Sequence, residues 1–160
     1  MLIQQCCALL EQQKLKIAFI ESASSGYLCS QFSIYKNSGA DILLGGLVSY
    51  DPCVKVDVLN IPAALIQAHT AESIPVTNAM AQHGKILFPQ ADMVIACTGL
   101  LKPGGSASID KPEGTFYISI YYKKKVTIFS YFLAGSPHAR LEQLTQHVAQ
   151  EIMLLLDCAN

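Results

Sequence analysis

The sequence predicts an α/β fold, namely a three-layer α/β/α sandwich with a mixed, mostly parallel sheet. Short apolar runs typical of buried strands alternate with amphipathic stretches that have helical spacing. Two further strand-like runs near the carboxyl terminus follow each other with only a short turn between them. The alternation favours parallel pairing across helical connections, whereas the consecutive pair favours an antiparallel hairpin.

The first half of the chain begins with an amphipathic helix. Its apolar positions are Leu2, Ile3, Cys6, Leu9 and Leu10. The next predicted elements are a strand at 16–20, a helix at 26–35, a strand at 41–50, one helical turn at 55–59 and a short helix at 63–68. Gly45 and Gly46 inside the second strand predict a bulge or a close approach of another backbone.

The second half begins with a helix that Ser73 caps and that has Pro75 just inside its first turn. It continues with a buried strand at 93–97, a glycine-rich loop at 98–108, a hairpin formed by 114–122 and 126–133, and a closing helix at 137–156. Because the sequence contains no repeat and no low-complexity linker, it predicts one domain over residues 1–160.

Composition narrows the classes of function. Hydrophobic residues make up 51% of the 160 residues and charged residues only 14%. So few charges predict a large buried surface in the core or in a homo-oligomer interface. The formal net charge of -1 gives no long-range attraction for nucleic acid or anionic lipid, so neither is an expected partner.

The amino-terminal segment, the apolar runs and the cysteines predict the location and the metal content of the protein. The amino-terminal segment lacks a basic region before its apolar stretch, and no apolar run reaches the roughly 18 residues of a membrane span. We therefore expect no signal peptide, no membrane segment and a cytoplasmic location. The six cysteines form no CxxC pair and have no histidine at ligand spacing, which predicts reduced thiols and no metal.

Two segments are candidates for a ligand site because each follows a predicted buried strand. The first is 21–26, where Ser22, Ser24 and Ser25 either cap the next helix or include a nucleophile. The second is the run TGLLKPGGS at 98–106, which offers backbone amides to a phosphate. It is not a nucleotide-triphosphate loop, because Gly105 stands where that loop requires its lysine.

A nucleophilic serine requires a base. The four histidines form no convincing Ser-His-Asp set and are expected on or near helices. Lys55 follows the second strand and is the better candidate, since a desolvated lysine loses its proton readily. The alternative is an ordinary solvated lysine. The lysines at 123–125 are interpreted as a hairpin turn that keeps a sheet edge soluble.

Five ordered motifs resemble those of one protein family. They are ESASSG at 21–26, GGLVSYDPCVK at 45–55, HTAES at 69–73, ACTGLLKPGGS at 96–106 and DKPEGTFY at 110–117. The chain is thereby identified as a member of the CinA C-terminal domain family, the nicotinamide-nucleotide amidases. The corresponding family patterns are ESCTGG, GG-V-Y-SNEAK, HGAVS, TGIAGP-GG and KPVGT.

The resemblance implies an α/β/α fold, usually oligomeric, that hydrolyses nicotinamide mononucleotide to nicotinic acid mononucleotide and ammonia without a metal or organic cofactor. By motif position it assigns Ser22 as nucleophile, Lys55 as base and Tyr50 as a third catalytic residue. The substrate-binding residues that it predicts are Ser24, Gly26, Gly46, Thr98, Gly99, Gly104, Gly105 and Arg140. The implied partner is a small nucleotide substrate.

Some positions differ from the family pattern. Residues 23–25, 52–54 and 101–102 carry other side chains, and the G-D-R turn before the last helix is Gly-Ser-Pro at 135–137. Arg140 either replaces the missing arginine or corresponds to a later, helix-facing one. These differences leave two alternatives to the amidase: a non-catalytic relative that binds a nucleotide or another protein, and a hydrolase with another amide substrate, for which Lys102 and Glu113 are the pocket changes.

Overall fold

The structure, a computed structural model, describes residues 1–158; the last two residues of the predicted domain, 1–160, lie outside this range. The strands are β1 (Ile17–Glu21), β2 (Leu43–Val48), β3 (Met93–Gly99), β4 (Thr115–Tyr122) and β5 (Lys125–Phe132). The helices are α1 (Leu2–Gln12), α2 (Tyr27–Tyr35), α3 (Pro52–Asp57), α4 (Ala63–His69), α5 (Ile74–Leu87) and α6 (Pro137–Asp157).

The five strands form one sheet in the order β2-β1-β3-β4-β5. β1 pairs in parallel with β2 and with β3, whereas β4 is antiparallel to both of its neighbours. Four strands therefore run in one direction and β4 runs in the other. This confirms the mixed, mostly parallel sheet and the carboxyl-terminal hairpin.

Helices cover both faces of the sheet, which confirms the three layers. Along β1, Ile17 and Phe19 pack with residues of α1, α2 and α6, whereas Ala18 and Ile20 pack with residues of α5. Successive side chains of a strand point to opposite faces, so a strand between two helical layers must be apolar at every position. All five residues of β1 are buried accordingly.

Two local details differ from the predicted boundaries or refine them. α3 begins at Pro52 rather than at residue 55, because the Asp51 side chain accepts a hydrogen bond from the Cys53 amide (2.8 Å) and proline fits the first helical position. In β2 the pairing with β1 skips one residue just before Gly45, whose φ is 134°. The predicted bulge is therefore present.

The carboxyl ends of β1, β2 and β3 lie side by side, since Glu21 is level with Val48 on one side and with Cys97 on the other. The chain leaves β1 toward β2 and leaves β3 toward β4, in opposite directions along the sheet. Ligands of open α/β sheets bind in the crevice that such a divergence creates. Within residues 1–158, none of the helices has the length and apolar character needed to cross a membrane.

Candidate active site

The alternation of side chains along β1 continues past its end and separates Glu21 from Ser22. Glu21 Oε1 accepts hydrogen bonds from the Leu28 amide (2.6 Å) and from Ser24 Oγ (3.2 Å), both on the α2 side of the sheet. Ser22 emerges on the opposite side, where Lys55 of α3 contacts it. The side chains of these two adjacent residues therefore lie on opposite faces of the sheet, Glu21 against α2 and Ser22 against α3.

Glu21 fixes the turn that joins β1 to α2. Its side chain is 1% exposed, and burial raises the pKa of its carboxyl group from the ordinary 4.5 to about 7, although hydrogen bonds from Leu28 and Ser24 oppose the rise. The carboxyl group occupies the start of α2, where amides would otherwise lack acceptors. Glu21 therefore positions the segment that carries Ser22.

Ser22 and Lys55 form a buried pair. Lys55 Nζ lies 2.9 Å from Ser22 Oγ and also donates to the carbonyl oxygens of Ser49 and Tyr50, the latter at 3.5 Å. The Lys55 side chain is fully buried and Ser22 is 7% exposed. Burial lowers the pKa of the Lys55 amino group from 10.5 to about 8, against the opposing effect of the Glu72 and Asp51 carboxylates. Near neutral pH the Lys55 amino group is therefore uncharged in a larger fraction of molecules than an exposed lysine would be.

The connection from β2 to α3 brings Lys55 to Ser22. The Ser49 amide donates to the carbonyl oxygen of Glu21 (2.8 Å), which holds the end of β2 beside the end of β1. The Asp51 cap and Pro52 then start α3 immediately, so that Lys55 lies one turn into the helix. The short, sharply turned connection thus fixes the distance between Lys55 Nζ and Ser22 Oγ.

A cleft of about 180 Å³ lies in front of Ser22. Ser22 and Ala23 form one wall, Tyr50 and Glu72 lie beside them, and the opposite wall is the start of the β3–β4 loop, defined here as residues 100–114. Tyr50 is 56% exposed, so its ring is available to a ligand. The cleft coincides with the crevice expected from the sheet topology.

Glycines allow the backbone of the β3–β4 loop to approach the cleft. Gly104 and Gly105 line it with φ values of 103° and 60°, a region that favours glycine. Gly99, at the end of β3, also lines the cleft, and a Cβ atom there would overlap the ring of Phe116. The structure therefore brings together Ser22, Lys55, Tyr50, Gly99, Gly104 and Gly105, as the motifs predict.

Four other predicted residues do not line the cleft. Ser24 is occupied by Glu21, and Gly26 takes the left-handed conformation (φ 90°) that begins α2. A Cβ atom on Gly46 would lie 2.9 Å from the carbonyl oxygen of Phe19, so this glycine allows β2 to pack on β1. Thr98 is fully buried, with its hydroxyl group 2.7 Å from that of Thr77. These four residues contact the protein around the cleft, and that they contact a substrate stays a prediction.

Arg140 also lies outside the cleft lining. Its Nη1 donates to the carbonyl oxygen of Leu101 (2.7 Å) and to the Glu113 carboxylate (2.5 Å), and its Nε donates to the carbonyl oxygen of Leu133 (3.1 Å). The guanidinium group thereby holds both ends of the β3–β4 loop, and that Arg140 also binds substrate stays a prediction. Its Nε and Nη1 groups are thus directed to the protein, whereas Nη2 has no hydrogen-bond acceptor among residues 1–158.

Sequence reasoning missed Glu72 as a residue of the cleft and missed the partner of Glu113. Glu72 lines it, although the motif that contains Glu72 drew attention only to Ser73 as a helix cap. Of the two suspected pocket changes, Lys102 lines the cleft but Glu113 pairs with Arg140. The available signal was that Glu72 and Glu113 both stand where the family pattern has valine.

A larger hollow of about 470 Å³ lies between α1, α2 and α6. Its lining includes Tyr27, Tyr35, Glu142 and Gln146. Neither Ser22 nor Lys55 reaches it, and it lies away from the carboxyl ends of the parallel strands. We therefore assign the candidate site to the smaller cleft.

Fold and site together define a class of protein: an α/β/α domain in which the central parallel strand presents a serine to a buried lysine at the crevice of the sheet. The chain belongs to the CinA C-terminal domain family, which matches it over residues 1–156. The resemblance inferred from the five motifs is thereby confirmed.

Relatives of known sequence are named as competence-damage inducible or CinA-like proteins. A putative competence-damage inducible protein of Caldicellulosiruptor bescii is 28% identical over 145 residues, which are 91% of this chain and 34% of that protein. A CinA-like protein of Chlorobaculum tepidum is 37% identical over 115 residues, 72% of this chain and 26% of that protein. The chain thus spans only about a quarter to a third of the length of these curated relatives.

Solved structures share the fold. A competence-damaged protein (CinA) superfamily protein of Escherichia coli superimposes with a TM-score of 0.86 at 22% identity, over 96% of this chain and 88% of that one. A superfamily protein of Klebsiella pneumoniae gives a TM-score of 0.85 at 21% identity, over 94% of this chain and 92% of the other. At these identities the likeness shows the fold alone.

Proposed function

We propose that this protein is an amidohydrolase that converts nicotinamide mononucleotide to nicotinic acid mononucleotide and ammonia. Ser22 is the nucleophile and Lys55 the base. The observation that carries the proposal is the 2.9 Å contact between Lys55 Nζ and Ser22 Oγ, made by a fully buried lysine at the mouth of a cleft. The motif resemblance supports the choice of substrate.

Acylation follows from the hydrogen bonds of Lys55. As an uncharged amine it has two N–H groups for the carbonyl oxygens of Ser49 and Tyr50 and one lone pair for the Ser22 hydroxyl. Lys55 takes the hydroxyl proton while Ser22 Oγ bonds to the carboxamide carbon. The C–N bond then breaks, the departing nitrogen receives the proton from Lys55, and ammonia leaves an ester on Ser22.

Deacylation uses the same groups in reverse order. A water molecule loses a proton to Lys55 and adds to the ester carbon, and collapse of the second tetrahedral intermediate breaks the bond to Ser22 Oγ. Lys55 returns its proton to Ser22, and nicotinic acid mononucleotide departs. The scheme is a net hydrolysis and requires no cofactor.

A backbone amide at the start of the turn is available for the oxyanion. The Ser22 amide is already bonded to the carbonyl oxygen of Cys97 (3.0 Å), and the Ser25 amide is bonded to that of Ser22 (3.0 Å). Within residues 1–158, the Ala23 amide has no protein acceptor, and Ala23 lines the cleft. We assign the Ala23 N–H as the donor to the developing negative charge.

The remaining cleft residues suit a nucleotide. Lys102 and the amides of Gly104 and Gly105 offer positive charge and donors to a phosphate. The exposed Tyr50 ring offers a face on which the nicotinamide ring can stack. Because the cleft volume of about 180 Å³ is below the roughly 300 Å³ typical of small-molecule sites, the phosphate end would extend across the glycine-rich wall.

Ammonia release from nicotinamide mononucleotide tests the proposal. We expect turnover by the wild-type chain and loss of at least about 10³-fold in Ser22→Ala, because the variant has no nucleophile. Ser30→Ala, an exposed serine of α2, is the matched control and should keep wild-type activity. Wild-type turnover no higher than that of Ser22→Ala would refute the amidase.

A second candidate is a non-catalytic relative that binds a nucleotide or a partner protein. It is favoured by the engagement of Arg140 with Glu113, Leu101 and Leu133, which ties the Nε and Nη1 groups of this arginine to the protein. It predicts that nicotinamide mononucleotide raises the melting temperature without being hydrolysed. Substantial ammonia release would exclude it.

We also propose that the chain assembles into a homo-oligomer. Large apolar side chains are exposed on its surface, notably Ile109 (99%), Ile86 (76%) and Phe132 (66%). Light scattering coupled to gel filtration measures the mass directly, and a monomeric mass at micromolar concentration would contradict the proposal. The cytoplasmic location stays a prediction.

A further inference from the structure

Glu72 places a carboxylate in the wall of the cleft. It lies in the turn between α4 and α5, is half-buried, and lines the same cleft as Ser22 and Tyr50. It is also close enough to Lys55 for its charge to oppose the lowered pKa of that amine. A carboxylate so near the reacting centre must affect which ligands enter.

Contacts with the β3–β4 loop fix the position of Glu72. Ser106 Oγ donates to Glu72 Oε2 (2.6 Å), and Lys111 Nζ donates to the Glu72 carbonyl oxygen (2.7 Å) and to Thr70 Oγ1 (2.8 Å). The other carboxylate oxygen, Oε1, accepts no hydrogen bond from the residues that the structure describes, 1–158, and no cation there lies within ion-pair distance of either oxygen. The carboxylate is therefore held in place without an ion pair, although the Lys111 ammonium group is close enough to interact with its charge.

Two charged side chains line the cleft. Lys102 lies on the loop wall with the glycines, and Glu72 lies beside Tyr50 and the Ser22–Lys55 pair. Once Lys55 is uncharged, Glu72 is the anionic side chain that lines the cleft together with Ser22. The lining of the cleft thus combines one anionic side chain, Glu72, with one cationic side chain, Lys102.

Nicotinamide mononucleotide has the complementary charges. Its pyridinium ring is positive beside the carboxamide, and its phosphate is negative at the far end. We propose that Glu72 is a specificity-determining residue that selects carboxamides on a cationic, N-alkylated pyridinium ring over the same carboxamides on an uncharged ring. The inference rests on the proposed amidase function, because the orientation of the ring follows from placing the carboxamide carbon at Ser22.

Binding to a variant without a nucleophile tests this charge preference. In the Ser22→Ala background, calorimetry compares nicotinamide mononucleotide with its 1,4-dihydro form, which has the same phosphate but an uncharged ring. Adding Glu72→Gln keeps an acceptor for Ser106 and removes the charge. We expect Glu72→Gln to weaken the cationic ligand about fivefold and to change affinity for the dihydro form less than twofold.

Glu142→Gln is the matched control. It removes a charge of the same sign from an exposed position at the larger hollow and should leave both affinities unchanged. Equal weakening of both ligands by Glu72→Gln would show that Glu72 only holds the loop. Tighter binding of the cationic ligand by this variant would show that Glu72 repels the phosphate. Either result overturns the inference, and so does the absence of binding by both ligands. Failure of the amidase proposal is a separate result, namely no ammonia release by the wild-type chain.

Discussion

The end of β1 and the β3–β4 loop form two walls of the same cleft, but different interactions hold them. The segment from Glu21 to Ser22 is buried, and it is bonded to the neighbouring strands and to the start of α2. The loop is mostly exposed and is anchored by side chains from elsewhere in the chain, namely Arg140 of α6 and Glu72 before α5. We infer that the strand end determines the chemistry and the loop determines which ligand binds.

Replacing the base tests the strand-end wall with the largest expected effect. Lys55→Met keeps the length of the side chain in its buried position but removes the amine, so we expect kcat for ammonia release to fall by about 10³-fold. Lys125→Met, at an exposed lysine of β5, is the control and should leave kcat unchanged. Near-normal turnover by a folded Lys55→Met protein, as judged by circular dichroism, would remove Lys55 from the mechanism.

The raised pKa of the Glu21 carboxyl group should make the free energy of unfolding depend on pH. Because the folded-state pKa of its carboxyl group, about 7, lies above the ordinary 4.5, its contribution is full below pH 4.5 and is lost as pH rises through 7. We expect the free energy of unfolding of Glu21→Gln, relative to wild type, to increase by about 3 kcal/mol across that interval. Urea titrations at several pH values measure it.

Glu142→Gln serves as the control for this pH series, because the residue is exposed on α6. It should leave the pH dependence of the free energy of unfolding as it is in wild type. A Glu21→Gln protein with the wild-type pH dependence would contradict the account of a buried, uncharged Glu21.

The Arg140–Glu113 pair tests the loop wall, where a smaller effect is expected. Arg140→Leu removes the two hydrogen bonds that hold the ends of the loop and a third to Leu133, so we expect KM to rise about threefold to tenfold with little change in kcat. A double-mutant cycle with Glu113→Gln should give a coupling of about 1 kcal/mol, since the pair is only partly buried. A fall in kcat with unchanged KM would place Arg140 in the chemistry.

The contrast between the two walls also explains what the sequence could predict. The strand-end wall is local: a continuous apolar run and the following glycine identify β1, and the motifs identify Ser22 and Lys55. Even so, the two residues are 33 positions apart, and only the structure shows the 2.9 Å contact between them. The start of α3 could have been predicted from Asp51 and Pro52, whose capping signals are local.

The loop wall could not be predicted in this way. Arg140 meets Glu113 across 27 positions and Leu101 across 39, and such pairs depend on how α6 packs against the sheet rather than on any local pattern. Glu72 and Ser106 are likewise 34 positions apart. The motif resemblance gave Arg140 a predicted role in binding substrate, whereas its role in holding the loop required the structure.

The pH dependence of kcat/KM for ammonia release from nicotinamide mononucleotide tests the central claim most directly. Lys55 acts as a base only when uncharged, and burial lowers the pKa of its amino group to about 8. We predict that kcat/KM rises with pH through about 8, in wild type and equally in Glu21→Gln, which separates Lys55 from the other titrating group of this wall. A kcat/KM that is constant or falls between about pH 7 and pH 9 would contradict the Ser22–Lys55 mechanism.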